Sequence, residues 1–142
     1  MKYDIPLGKP DLTDADREAV LATLQGSRLT MGSALLEFEA HIASVVRRPF
    51  AIGVSSAGAG MEICLRALGL GAGDEVLVPS LSFSSNVNSV ISVGATPVFV
   101  DCDPRTLNMN VAHAESKVTA KTRAVIGVPV LGNPAGLPDL IA

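Results

Sequence analysis

A chain of 142 residues, 48% hydrophobic and 18% charged, is the size of one domain and has ample material for a core. Its net charge of −3 leaves no basic footprint for nucleic acid, and the first residues carry no apolar signal-peptide core. The uncharged stretch Val76–Val100 is broken by Pro79 and Pro97 and rich in Ser and Asn, which argues against a membrane span.

Ile5-Pro6-Leu7 to Pro10 reads as an extended arm. Thr13 with Asp16 three residues on is a capping-box pattern, and Val20, Leu21 and Leu24 stripe the helix that follows up to Gly26. A polar connection, Gln25 to Met31, leads to a second helix opening at Gly32-Ser33. There Leu35, Phe38, Ile42 and Val45 share one face, and Pro49 stops the run. His41 lies beside that stripe as a partly exposed helix residue. No second His, Cys or acid stands at metal spacing around it, so no metal site is expected. Cys64 and Cys102 have neither a secreted framework nor metal spacing and sit in apolar segments. They read as buried free thiols of a cytoplasmic protein.

A β/α alternation then begins. Phe50–Val54 predicts strand one and Ala57–Leu70 its helix; Glu75–Pro79 strand two and roughly Phe83–Val93 its helix. Thr96–Val100 predicts strand three, Asn110–Lys117 a short capped helix, and Arg123–Val128 strand four. Continuous apolar strands alternating with helices indicate an α/β fold, a mostly parallel sheet covered by helices on both faces. Ligands of such sheets bind beyond the carboxyl ends of the strands.

One of those ends, Val54-Ser55-Ser56-Ala57-Gly58-Ala59-Gly60-Met61, is the stretch around which the chain is organised. A strand, a small-residue turn and a helix start leave free backbone N–H groups at the positive end of a helix dipole, which suits a phosphate. A plain turn, small for close packing, fits the same residues. The dinucleotide fingerprint is a poor fit, because Ile63 holds the third glycine position and no acid ends the next strand. Gly136-Leu137-Pro138-Asp139 opens another helix that the sequence carries for about one turn, too little to hold itself together. The chain is therefore expected to end inside a β/α unit; a natural domain with a frayed tail is the other reading.

Several segments in order resemble the DegT–StrS family of PLP-dependent aminotransferases, which act on nucleotide-linked keto-sugars (PLP is pyridoxal 5′-phosphate). They are Ile5-Pro6-Leu7-x-x-Pro10, Leu29-Thr30-x-Gly32, Glu37-Phe38-Glu39, Val54-Ser55-Ser56 and Gly71-x-Gly73-Asp74-Glu75-Val76. Val78-Pro79-Ser80, Gly94-Ala95-x-Pro97-Val98-Phe99-Val100-Asp101, Asp103-Pro104-x-Thr106-Leu107-Asn108 and Gly132-x-Pro134-Ala135 continue the series. The resemblance implies part of the large domain of a fold-type I PLP-dependent transferase. Residues 1–32 would be an N-terminal arm and first helix, and residues 33–142 an incomplete PLP-binding domain.

By the same resemblance, Ala57 and Gly58 stand where the family carries Gly-Thr, whose backbone and hydroxyl hold the PLP phosphate. This chain keeps the amides and loses the hydroxyl. Phe83 matches the aromatic that stacks on the pyridine ring, Asn88 a supporting position, and Thr30 a loop near the substrate, where Met31 departs from the usual small polar residue. The catalytic lysine and the acid beside the ring nitrogen lie, in the family, beyond the stretch matched here. No catalytic residue is therefore assigned to Lys2, Lys9, Lys117, Lys121, Asp101, Asp103 or His113. The resemblance implies an amino-acid donor, usually glutamate, a sugar-nucleotide acceptor and a homodimer. A non-catalytic remnant or interaction module is the alternative.

Overall fold

The computed structural model describes residues 8–140. Of the arm expected from Ile5 to Pro10, Ile5–Leu7 lie outside them, as do the last two residues. The chain divides into two compact units between Gly53 and Val54.

In the first unit, α1 (Asp14–Gln25) opens on the expected capping box. The Asp16 N–H donates to Thr13 Oγ1 (3.3 Å), while Asp16 Oδ2 accepts from the Thr13 N–H (2.8 Å). These bonds hold the Asp16 carboxyl below its usual range, the Thr13 hydroxyl being the main cause. No residue of α1 is buried, and its apolar stripe Val20, Leu21 and Leu24 is exposed. The second helix, α2 (Ser33–Val45), begins after Gly32 as expected. A Cβ on Gly32 would stand 2.8 Å from the Arg28 carbonyl oxygen, so the turn before α2 admits only glycine without backbone movement. Of the expected stripe, Leu35 and Ile42 are half-buried and Phe38 and Val45 are exposed.

The second unit is a three-stranded parallel sheet, with β1 (Glu75–Pro79) between β2 (Thr96–Val100) and β3 (Thr122–Val125). Strand pairs run Glu75–Thr96 to Pro79–Val100 on one side and reach Leu77–Val125 on the other. Both prolines sit where the missing N–H costs no ladder bond: Pro79 is the last residue of its strand, and Pro97 lies on β2, paired on one side only.

Alternation sorts β1 onto two faces. Val76 and Val78, both fully buried, join Leu65, Leu70, Val90 and Ala95 beneath α3 (Ala57–Ala67) and α4 (Ser85–Ser92). Leu77 joins Val100, Met109 and Ala114 beneath α5 (Val111–Lys117). The sheet is covered on both faces, as the continuous apolar runs of the strands predict.

Two expectations are corrected. Phe50–Val54 is not a strand: Phe50 is 82% and Ile52 76% exposed, and no described segment pairs with it. A strand needs a neighbour to complete its hydrogen bonds. Here the Gly53 N–H donates instead to a side chain, Glu39 Oε1, at 2.7 Å. The sheet thus has three described strands rather than four, and the fourth predicted strand shortens to Thr122–Val125. The cysteines are free but not buried: Cys64 is exposed on α3, and Cys102 is half-buried in an antiparallel bridge to Met109.

Candidate cofactor site

The carboxyl ends of β1, β2 and β3 mark the edge where a ligand of this sheet would bind. Helices α3 and α4, packed side by side on one face, both begin at that edge.

The first turn of α3 can be accounted for donor by donor. Ser56 caps it, its Oγ accepting from the Ala59 N–H at 3.2 Å, and its carbonyl accepts from the Gly60 N–H at 3.0 Å. The N–H groups of Ala57 and Gly58 have no acceptor among the described residues. These are the two residues to which the sequence assigns the phosphate. Neither α3 nor α4 carries an acidic residue in its first turn, so nothing there opposes the positive end of either dipole. Gly58 is also held to a small side chain. A Cβ there would lie 3.3 Å from the Ser85 Cβ, a contact tighter than ordinary packing.

Phe83 follows β1 at the same edge and is 78% exposed. That exposure rules out the core role an aromatic at a helix start might otherwise fill. The Phe83 carbonyl accepts from the Asn86 N–H at 3.0 Å and so anchors the start of α4. Asn88 is exposed. The more secluded amide is Asn86, 6% exposed and one turn ahead of Val90 on the face turned to the sheet. The resemblance singles out Asn88, whereas the i, i+4 relation to Val90 marks Asn86 as the buried amide of α4.

A second missed residue is Asn108, 3% exposed. Its Nδ2 donates to the carbonyls of Asn133 and Ala135, both at 2.8 Å, and its Oδ1 accepts from the Val130 N–H at 2.8 Å. One side chain thereby fixes the loop after β3, in which Leu131 adopts φ 52° and is 98% exposed. Nearby, Asp103 accepts from the N–H groups of Arg105 (2.8 Å) and Thr106 (3.1 Å), which hold its carboxyl below the usual range. It is a turn-forming acid, as its sequence predicts. His113 Nδ1 accepts from the Asp101 N–H at 3.1 Å.

Thr30 belongs to the first unit, in an exposed loop where its carbonyl accepts from Arg28 Nε at 3.1 Å and Met31 takes φ 51°. An open groove of about 560 Å³ lies along this loop, lined by Arg28, Leu29, Met31 and Ser33 among others. No three His, Cys, Asp or Glu residues cluster as metal ligands among the described residues, and no helix there is long and apolar enough to cross a membrane.

A parallel sheet covered by helices, as here, is the architecture of part of the fold-type I PLP-dependent transferases. The model of the DegT/DnrJ/EryC1/StrS aminotransferase family matches residues 10–142, and the chain belongs to that family. Among similar solved structures is Spr1654 from Streptococcus pneumoniae, assigned as a sugar aminotransferase. Its apo form is 33% identical, with a TM-score of 0.88 over 97% of this chain and 35% of that one. The sugar aminotransferase CalS13 from Micromonospora echinospora is 33% identical, with a TM-score of 0.87 over 96% of this chain and 37% of that one. A GDP-4-keto-6-deoxymannose-3-dehydratase with a trapped PLP-glutamate geminal diamine is 29% identical, with a TM-score of 0.89 over 96% of this chain and 37% of that one. The chain thus spans about a third of the length of the structures it matches. Family membership sets the dinucleotide reading aside.

Proposed function

We propose that this chain supplies the phosphate-binding and ring-contact part of a PLP-dependent sugar aminotransferase. The whole protein would move an amino group, usually from glutamate, to a nucleotide-linked keto-sugar in the cytoplasm. It would work as a homodimer with sites at the subunit interface. The observation that carries this reading is the pair of unpartnered N–H groups on Ala57 and Gly58, at the sheet edge that also holds the exposed Phe83.

The residues present fit the cofactor. The two amides and the unopposed dipole of α3 would hold the phosphate dianion, each charge-assisted bond contributing about 1.5–3 kcal/mol. The ring of Phe83 would cover one face of the pyridine and keep water off it. Thr30 would contact the substrate. PLP, when bound, supplies the electron sink for the carbon that gains or loses the amino group.

Moving the proton falls to a residue outside those described. Lys117 closes α5 and Lys121 precedes β3, so both lie at the amino edge of the sheet, and Lys9 is in the first unit. General acid–base catalysis is worth roughly 10²–10⁴-fold, so residues 1–142 alone should not exceed free PLP in transamination.

Titration of PLP and of pyridoxal against the chain tests the reading. PLP should bind reversibly and pyridoxal, which lacks the phosphate, far more weakly. Borohydride followed by mass spectrometry should find no stoichiometric adduct on Lys2, Lys9, Lys117 or Lys121. Joined to a family segment that carries the lysine, the chain should aminate a keto-sugar nucleotide, and Phe83→Ala should then raise the PLP Kd about tenfold. Equal affinity for PLP and pyridoxal would refute the phosphate assignment.

A further inference from the structure

The ring of His113 stands between two groups of one residue. A backbone amide only donates, so the Asp101 N–H at 3.1 Å makes Nδ1 an acceptor. In that state the ring is neutral and its one proton sits on Nε2. The same Nδ1 lies 3.3 Å from Asp101 Oδ2. Two acceptors do not bond each other, so the neutral ring offers this carboxylate nothing. Protonation of Nδ1 reverses the roles. The nitrogen then donates, the carboxylate accepts, and the Asp101 N–H loses its acceptor.

The main chain around the ring forms a closed circuit. Asp101 follows Val100, the fully buried last residue of β2. The Asp101 carbonyl accepts from the Asn110 N–H at 2.8 Å, and Asn110 Oδ1 accepts from the His113 N–H at 3.0 Å. The imidazole closes the loop by returning to the Asp101 N–H. The exit of β2 and the first turn of α5 are thereby joined at the carboxyl edge of the sheet. The His113 side chain is 28% exposed, so a proton reaches the ring without opening the fold.

The charged groups around α5 leave Asp101 as the partner. Its carboxylate makes the one ion-pair contact to His113 among the described residues. The packed strand β2 carries no charge, and Glu75 of β1 stands at the amino end, bonded to Thr119. In the turn after Asp101, Asp103 is held by the Arg105 and Thr106 N–H groups, with the Arg105 guanidinium 3.7 Å away. Toward β3, Arg123 and Asp139 line a groove that Glu115 borders and His113 does not. On α5 itself Glu115 is two residues on, which does not face His113, and Lys117 is one turn on.

We infer that His113 is a proton-operated tie between β2 and α5. Neutral, it holds the Asp101 main chain; charged, it holds the Asp101 carboxylate and frees the N–H. Histidine is the side chain that ordinarily changes charge between about pH 5 and 8. The switch stands apart from the cofactor reading and needs no ligand.

NMR of the isotope-labelled 142-residue chain, titrated from about pH 8 to 5, tests it. At the alkaline end a scalar coupling across the hydrogen bond should join the Asp101 amide nitrogen to His113 Nδ1, with the proton on Nε2. As pH falls, the coupling should vanish, Nδ1 should take up a proton, and the Asp101 carboxyl carbon should shift, all with one midpoint. Exchange of the Asp101 amide, corrected for its intrinsic pH dependence, should quicken about two- to tenfold across the same midpoint. Asp101→Asn keeps the amide and removes the charge, so the coupling should persist at the alkaline end while the midpoint moves to lower pH. His113→Gln should abolish the transition at the Asp101 amide.

A proton on Nδ1 at the alkaline end, or a coupling that survives protonation of the ring, would overturn the inference. An unmoved midpoint in Asp101→Asn would overturn the exchange of partners, and so would an Asp101 amide transition that persists in His113→Gln.

Discussion

At Gly58 the absence of one carbon decides what the neighbouring residues can do. The Ser85 Cβ would lie 3.3 Å from a Cβ placed there, while the two N–H groups of the turn have no acceptor among the described residues. A threonine at this position restores a hydroxyl but crowds Ser85. Overpacking of this kind typically costs about 1–3 kcal/mol, and residues in contact are not additive. Gly58→Thr should therefore lower the thermal midpoint, and Ser85→Gly should recover part of that loss in the double variant. Strictly additive midpoints would mean that the contact is not felt. The hydrogen bonds of Asn108 show the same economy from the other side of the sheet: one buried amide satisfies three backbone groups of the loop after β3. Its position in the Asp103–Asn108 motif was legible in the sequence, but its partners, 22 to 27 residues away, were not.

Among the elements, strands with strong local patterns were read to the residue. Glu75–Pro79 and Thr96–Val100 are bounded by turns; β1 is buried from Val76 onward, while β2 buries Val100 and leaves Phe99 exposed. Phe50–Val54 has the same apolar pattern and fails, because a strand is completed by a neighbour and its own residues do not encode whether one is there. The caps of α1, α3 and α5 involve bonds over three residues, and those of α1 and α5 were legible for that reason. Ala57, Gly58 and Phe83 are assigned through order and spacing, whereas the approach of Ser85 to Gly58 depends on which faces of α3 and α4 meet.

The α1 capping box carries a pH prediction. Asp16 has a depressed pKa in the folded chain, so its contribution is present above the ordinary carboxylate value and is lost as pH falls through the depressed one. Helical circular dichroism should drop across that acid window. Thr13→Ala, typically costing about 1 kcal/mol at an N-cap, should lower helicity at neutral pH and shrink the acid step. A step of the same size in Thr13→Ala would assign the transition to other carboxylates.

For the whole molecule, the fold brings together one half of a chemistry. The carboxyl edge of the sheet offers amides, a dipole and an aromatic face, and the second unit's Lys117 and Lys121 lie at the opposite edge. Apolar side chains such as Phe50, Ile52, Phe99 and Leu131 stand exposed, more than a lone folded chain usually shows. The chain covers about a third of each similar structure.

The central claim is that PLP is held by its phosphate at the first turn of α3. A crystal structure of the chain with PLP tests it most directly. The account predicts the phosphate within hydrogen-bond distance of the Ala57 and Gly58 nitrogens, with the pyridine ring against Phe83. A phosphate bound elsewhere, with those two amides left free, would contradict it.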